Sequence, residues 1–463
     1  MVQKKPLFLK FRSSNIYVLV TVSMSLFTDM MVYSIIVPII PFVMDAMQNG
    51  RSPDTRSDPY HTTISNGGNV SKDTGILLAL FSLGLLVGSP VLGYLADRMK
   101  YRQWPMVAGI AGLLGATFLF LFATTYWELL LARFLQGFSD ACVWTLGMCL
   151  VADTFALEEL GTQVSINVRF QAYVSSRWED NMLYAALYHS MGYKAPFILC
   201  ICLAGVDMLL RLFLVERRHR PAEWFSDDTL TTTETTVEKK KKYHHVTVFQ
   251  LLRQHRLLAA LLIAFANGCV CNVFEPTLTV RLSTEWRYNS SQIGLVFLAQ
   301  VIPTFVATPV SGALSDKYGA KVVCISSLVV CTITMFLIGI PNRSTAGGIA
   351  PLIVIFAIQG FTAFAFITPV LPEVAFVVQS LNPDKGDDSG QGMSYALFNV
   401  AFALGGLVGP LLSGFLYDKI GFFYMCIVMG CFLILCLPYV FLFTGEPGKF
   451  IVRPQDKKST MIG

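Results

Sequence analysis

The sequence predicts an all-α, polytopic membrane protein built from two similar halves, and three observations carry that reading. Of 463 residues, 54% are hydrophobic and only 14% charged, where a soluble globular chain has roughly 25% charged. Apolar stretches of about 20 residues recur, enough to cross a hydrocarbon core of about 30 Å at about 1.5 Å per helical residue. The halves also echo each other: "SPVLGYLADR" (89–98) returns as "TPVSGALSDK" (308–317), and "LQGF" (135–138) returns as "IQGF" (358–361). Pro90 and Pro309, Gly93 and Gly312, and Asp97 and Asp316 keep one offset of 219. Duplicated bundles that rock about a central site are a transporter architecture.

The elements follow in order. The N-terminus MVQKKPLFLKFR is basic, and the long apolar stretch behind it has no small-residue cleavage site, so 16–44 reads as a retained first span. Further spans fall at 74–96, 104–123, 127–152 and 195–215. A hydrophilic break at 216–256, with ERRHR, a Thr-rich stretch and KKKKYHH, reads as a basic cytoplasmic linker. Six more spans follow at 257–281, 291–315, 320–340, 349–378, 393–416 and 420–444. The organisation is an N-terminal bundle (1–215), the linker (216–256), a C-terminal bundle (257–446) and a cytoplasmic tail (447–463).

Positive charge sets the orientation. Lys4, Lys5, Lys10 and Arg12, the Arg98–Arg102 loop, the linker and the tail all go inside, which puts the 45–73 loop outside. That loop carries the glycosylation triplet Asn69-Val70-Ser71, and the triplets at Asn289 and Asn342 fall on the same side. One conflict remains. The spans at 127–152 and 195–215 both end inside, so the chain between them must cross once. Yet 157–194 contains Arg169, Arg177, Glu179 and Asp180 and no apolar stretch of span length. The fifth span is degenerate or missing, and 163–186 reads either as intron sequence translated in place of an exon or as a genuine defect.

Composition excludes other classes. The eleven cysteines lie in or beside apolar segments and read as small buried hydrophobes. Cys269-Val-Cys271 has no histidine at metal spacing, so neither a metal nor another cofactor is expected. The net charge of +5 comes from loop lysines and arginines and implies no nucleic-acid partner. No Walker motif is present, and an enzyme is not expected. The expected setting is the lipid bilayer of a plasma, vacuolar or vesicular membrane, with the chain a monomer.

Several motifs are specific enough to carry a resemblance. Gly93-Tyr-Leu-Ala-Asp97-Arg98-Met-Lys100-Tyr-Arg102 resembles the loop motif between spans two and three of the major facilitator superfamily, with Lys100 where the family usually has Gly. Gly312, Asp316, Lys317 and Gly319 form the second copy. Arg133-Phe-Leu-Gln136-Gly137-Phe-Ser-Asp140-Ala resembles the fourth-span motif of the proton-coupled drug antiporters. "LFTDMMVYSIIVPIIP", "VFEPTLTV" and "KAPFILCICLAGVDMLLRLFLV" are most similar to the vesicular amine transporters and their fungal relatives. The resemblance implies a major facilitator fold of two six-helix bundles. The chain departs from the amine transporters at three charged positions: Phe81 stands where they have a lysine, Ile367 near an acidic residue and Asn399 at another.

Six residues are candidates for substrate or proton binding: Asp29, Glu275, Arg133, Gln136, Asp140 and Asn399. An ionised carboxylate in hydrocarbon costs at least about 2.5–3.5 kcal/mol, so intramembrane acids are functional candidates by default. Burial disfavours the charged form. Asp29 can therefore take a proton from one side and lose it when rewetted, and proton and cation would compete for that carboxylate. Glu275 precedes Pro276, which removes a helix hydrogen bond and loosens the span there; it is a second carboxylate for cargo or proton. Arg133 and Asp140, seven residues apart, lie on nearly one helical face. They form either a proton-expelling relay or a fixed ion pair. Gln136 offers a hydrogen bond to substrate or to a facing helix. Asp207 and Arg211, spaced i,i+4, read as a structural pair. Gly93, Asp97, Arg98, Arg102, Gly312, Asp316 and Lys317 are the gating motif the resemblance implies. The Gly405–Gly414 stripe in the eleventh span reads as helix packing, with Asn399 near it as a substrate contact. Tyr33, Phe274, Phe361, Phe364, Phe366, Tyr395 and Phe398 are aromatic candidates for a cavity wall.

The expected function is exchange of protons for a small organic, amine-like or drug-like, cation. One pH unit supplies about 1.4 kcal/mol per proton. The alternatives are an inactive paralogue kept as a receptor or scaffold, and a proton symporter of a neutral solute.

Overall fold

The structure is a computed structural model that describes residues 8–34, 36, 37, 39–49, 67–98, 103–154, 194–215, 253–370, 373, 374, 377 and 391–445. Every regular element among them is a helix. A short α1 (Leu9–Arg12) leads into α2 (Asn15–Ser34) and α3 (Ile40–Gln48). The single first span expected at 16–44 is thus two helices. Pro41 takes one of the first two positions of α3, where its missing N–H costs nothing.

The first half continues with α4 (Gly67–Arg98), α5 (Gln103–Phe122), α6 (Tyr126–Thr154) and α7 (Lys194–Phe213). The second half opens with α8 (His255–Asn272) and α9 (Glu275–Glu285), broken where Pro276 withholds its N–H. Then come α10 (Ser290–Val301), α11 (Thr304–Tyr318), α12 (Ala320–Leu337) and α13 (Ala350–Ile367). The last, α14 (Gln391–Phe443), bends back at Gly421, whose φ of 79° suits a residue without a Cβ. It therefore supplies two crossings. Asn289 caps α10, its Oδ1 accepting from the Gln292 N–H at 2.9 Å.

Nine described stretches are long and apolar enough to cross a membrane, and the last, Leu397–Phe443, is long enough for two. α6 has the length, about 43 Å, but carries Glu128, Arg133, Asp140 and Asp153. Together these are the eleven spans expected from sequence. Exposed Trp104 and Trp127 stand at opposite ends of their crossings, as interfacial aromatics do.

Tyr17 donates from α2 to the Leu210 carbonyl near the end of α7. Tyr33, at the other end of α2, lies under Arg133, near the start of α6. Both α6 and α7 are therefore antiparallel to α2, and Thr154 and Lys194 lie at opposite ends of the bundle. The residues between them, with the expected defect at 163–186, fall outside those described. So do nearly all of the linker and the tail.

Two hydrophobic cores form. One is built around Leu26, Ile110, Leu113 and Phe120; the other around Ile263, Phe274, Phe356 and Met425. The internal repeat has a packing cause. A Cβ on Gly137 would meet the Phe81 carbonyl oxygen at 1.9 Å, and one on Gly360 would meet that of Gln300 at 2.0 Å. Each "QGF" thus puts the backbones of two helices in contact, once per half, where only glycine fits.

The halves meet through α4 and α14. A Cβ on Gly75 would lie 2.4 Å from the Pro410 oxygen, one on Gly414 2.8 Å from the Ser71 oxygen, and one on Gly406 2.6 Å from the Ser82 hydroxyl. Ser71 also donates to the Pro276 carbonyl at 3.0 Å. By the charge-derived orientation these contacts lie in the outer halves of the helices. The glycine stripe of the eleventh span has two faces. Gly405 and Gly409 seat on Phe265 and Cys269 of α8, whereas Gly406, Pro410 and Gly414 face α4.

Candidate functional site

The site grows from two helical faces. Ser25, Asp29 and Tyr33 follow one another at i,i+4 along α2, and Arg133, Gln136 and Asp140 line the facing side of α6. The break between α8 and α9 places Glu275 at the first position of α9, with Asn272 ending α8.

Tyr33 joins the two halves. Its hydroxyl lies 2.7 and 2.9 Å from the Glu275 carboxylate oxygens and 2.9 Å from Asn272 Oδ1. The Asn272 amide nitrogen is turned away, donating to the Gly268 carbonyl at 2.7 Å. One hydroxyl proton therefore serves three acceptor atoms, so acceptor capacity is left over. Tyr33, Asn272 and Glu275 are all half-buried.

Over the Tyr33 ring stands Arg133, fully buried. Its Cζ lies 5.0 Å from the Tyr33 ring centroid, 5.4 Å from Phe81 and 6.0 Å from Phe120. Three rings thus shelter the guanidinium by cation–π attraction. Nη1 donates to Gln136 Oε1 at 2.8 Å, while Nε and Nη2 have no partner among the described residues. The fixed Arg133–Asp140 ion pair, one of the two sequence readings, is not formed.

Asp140 instead faces Asp29, with Trp144 beside it. These carboxyls are 3% and 1% exposed. Neither oxygen of Asp29, nor Oδ1 of Asp140, has a hydrogen-bond partner among the described residues. The next turn of α2 carries Ser25, whose hydroxyl lies 2.7 Å from Asp207 Oδ1 and accepts from Arg211 Nε at 3.0 Å. Asp207 and Arg211 form the expected i,i+4 ion pair, 3.3 Å apart and buried.

The structure thus brings five of the six candidates into two linked clusters. Glu275, Arg133 and Gln136 gather around Tyr33, and Asp29 meets Asp140 one turn along α2. Asn399 is half-buried near the start of α14 and makes no hydrogen bond to either cluster among the described residues. Of the gating motif, Gly93, Asp97 and Arg98 lie in the last turns of α4, Gly312, Asp316 and Lys317 in α11, and Lys317 sits 5.1 Å over the Tyr318 ring. The side chains of Asp97, Arg98 and Asp316, and all of Arg102, fall outside the described set. Asn69 is exposed at the start of α4, but Ser71 of its triplet is buried.

Phe274 and Phe366 are core residues, and Phe364 points outward. Tyr395 falls outside the described side chains. Sequence reasoning missed two polar groups. Asn272 had a signal, standing three residues before Glu275 in an apolar helix. Arg281 is 3% exposed; it donates to the Ile338 carbonyl at 3.3 Å, to the Pro341 carbonyl and to Glu285 at 3.0 Å. It ties α9 to the turn after α12, and an intramembrane arginine four residues before a glutamate was its signal.

Comparison with known proteins gives one consistent picture. The profile of the Major Facilitator Superfamily matches residues 22–280 and 260–460. An uncharacterised MFS-type transporter of Schizosaccharomyces pombe is 27% identical over 450 residues, 92% of this chain and 95% of its own. The human synaptic vesicular amine transporter is 25% identical over 381 residues, 82% of this chain and 68% of its own. Among solved structures, a D-xylose-proton symporter superposes with a TM-score of 0.65 at 16% identity, covering 93% of this chain and 98% of that one.

Proposed function

This chain belongs to the Major Facilitator Superfamily, and from that premise we propose that it exchanges protons for a small organic cation, amine-like or drug-like, by alternating access. The observation that carries the reading is the surplus of acceptors at Glu275. A carboxylate and an amide oxygen share a single donor, Tyr33, between the two halves. An organic cation supplies the missing charge, and one that carries N–H groups supplies the missing donors as well. The half-buried Tyr33 ring beside Glu275 is the aromatic surface against which the organic body of such a cation packs. The likeness to the synaptic vesicular amine transporter supports the same cargo class.

Cargo selection rests on Glu275, Asn272 and Tyr33, with Asn399 as a candidate contact from α14. Arg133 is the balancing charge. It lies over the ring of the tyrosine whose hydroxyl meets the carboxylate, so a cation arriving at Glu275 weakens the hold of Glu275 on Arg133. Asp29 is expected to serve the proton rather than the cargo, because it faces α6 inside its own half and Glu275 lies between the halves. Closure through Gly75, Pro410 and Gly414 seals the outer end; the other state requires these backbones to part. The motif of Gly93, Asp97, Arg98 and Arg102, with its second copy of Gly312, Asp316 and Lys317, gates the inner end in this reading.

The test uses purified protein in liposomes with an imposed pH gradient and radiolabelled 1-methyl-4-phenylpyridinium. This ion is permanently charged and carries no proton of its own. Wild type is expected to accumulate it and Glu275→Gln to abolish uptake. Unchanged uptake by Glu275→Gln would remove the cation site from this position.

A further inference from the structure

We propose that Asp29 and Asp140 share one proton and together form the coupling site, distinct from the cation site at Glu275. This inference rests on the antiport reading above. It assigns the proton to a pair of carboxyls, where the sequence reading has proton and cation competing at Asp29 and treats Arg133 and Asp140 separately, as a relay or an ion pair.

The geometry is that of two acids without a base. The carboxyls face each other from α2 and α6 and are nearly inaccessible. Three of their four oxygens have no partner among the described residues. Two ionised carboxylates packed together in a dry interior, with no cation bound to either, are prohibitively costly. A single proton between them removes one charge and supplies the missing hydrogen bond.

The surrounding groups leave that proton in place. From α7, Arg211 is the nearest cation, but it is anchored by Asp207, by Ser25 and by the Met106 carbonyl at 3.2 Å. On α6, Arg133 is held by Gln136 and the ring shelf, and Trp144 packs beside Asp29. On α2, Tyr33 is committed to Glu275. Among the described residues, these are the charged and titratable groups facing the pair.

The pair is still linked to the cation site. Asp29 is one turn from Tyr33 on α2, and Gln136 stands between Arg133 and Asp140 on α6. A cation at Glu275 repels Arg133 away from Tyr33 and along α6, toward Asp140. The guanidinium there stabilises both carboxylates, and the shared proton leaves. One proton departs as one cation enters, so charge balances. When the cation leaves, Arg133 returns and the pair takes up a proton again.

The test separates exchange from coupling. In liposomes with 1-methyl-4-phenylpyridinium on both sides and no pH gradient, labelled-for-unlabelled exchange needs no net proton movement. Asp140→Asn and Asp29→Asn are expected to continue this exchange. With a gradient of one pH unit, wild type reaches up to about tenfold accumulation per exchanged proton, and both variants fall to none. Asp140→Asn accumulating like wild type overturns the proposal. Wild type showing neither exchange nor accumulation overturns the antiport reading instead.

The pair is then judged by infrared spectroscopy of the same protein in H2O and D2O. A protonated-carboxyl C=O stretch is expected in wild type, shifted in each single variant and reduced in Asp29→Asn/Asp140→Asn. A wild-type spectrum without that band overturns the pairing, even where a variant fails to fold. So does a band left unshifted by both single variants.

Discussion

Replacing Gly75 by alanine should open the outer end of the protein without unfolding it. The new methyl carbon would lie 2.4 Å from the Pro410 oxygen, 3.3 Å from its carbonyl carbon and 3.4 Å from the Gly414 Cα. Contacts between carbon atoms are comfortable at about 3.5–4.0 Å, so α4 and α14 must separate by about 1 Å. Both obstacles are backbone and cannot swing aside. Overpacking of this kind costs about 1–3 kcal/mol. Gly75 and Pro410 belong to different halves, so that penalty falls on the closed outer arrangement only. Within α4, alanine is the better helix former by about 1 kcal/mol in either state. The balance between states should shift by about 5- to 150-fold toward the outer-open one.

Spin labels report this directly. Asn69→Cys and Asn342→Cys place one label on each half at the outer end, in a chain whose native cysteines have been replaced. Electron–electron distance measurements should show the Gly75→Ala distribution moved to longer separations. Gly115→Ala, where a Cβ meets nothing within 4 Å, should leave it unmoved. An identical distribution for Gly75→Ala and the parent would refute the claim that this contact is a seal between moving parts.

Two further substitutions separate fold from mechanism. Gly137→Ala sets a methyl 1.9 Å from the Phe81 oxygen inside one half; it should lower the thermal midpoint, costing about 1–3 kcal/mol, and leave the outer label distances unchanged. A midpoint equal to that of wild type would show that the helices can part there freely. Arg281→Lys should cost about 2–3 kcal/mol, because an ammonium cannot span the separate carbonyls a guanidinium reaches. The same thermal assay reads it, and a lysine variant as stable as wild type would mean that charge alone suffices at this position.

The crossings and the repeat were legible because they are one-dimensional quantities. Apolar length sets how many times the chain can span, and lysine and arginine bias gives the expected orientation. The loosening expected at Glu275-Pro276 is in the structure a full break between two helices, for an equally local reason, a missing N–H. The break after Ser34 was not separated from its span, although "SIIVPIIP" carries two prolines there. The glycine stripe was recognised as packing, but its division into one face for α8 and another for α4 was not. Adjacent glycines such as Gly405 and Gly406 look alike in sequence and diverge only once two different helices lie against them.

A membrane protein of two repeated bundles, with acids and an arginine buried at helical spacing, can be read from the residues in order. How those charges are matched follows from the packing of the helices. Spacing places a residue on a face of its own helix, but the partner depends on which helix lies opposite and at what height. That is why Arg133 meets Tyr33 and Gln136 instead of Asp140, why Asp140 meets Asp29, and why Glu275 is reached from the other half.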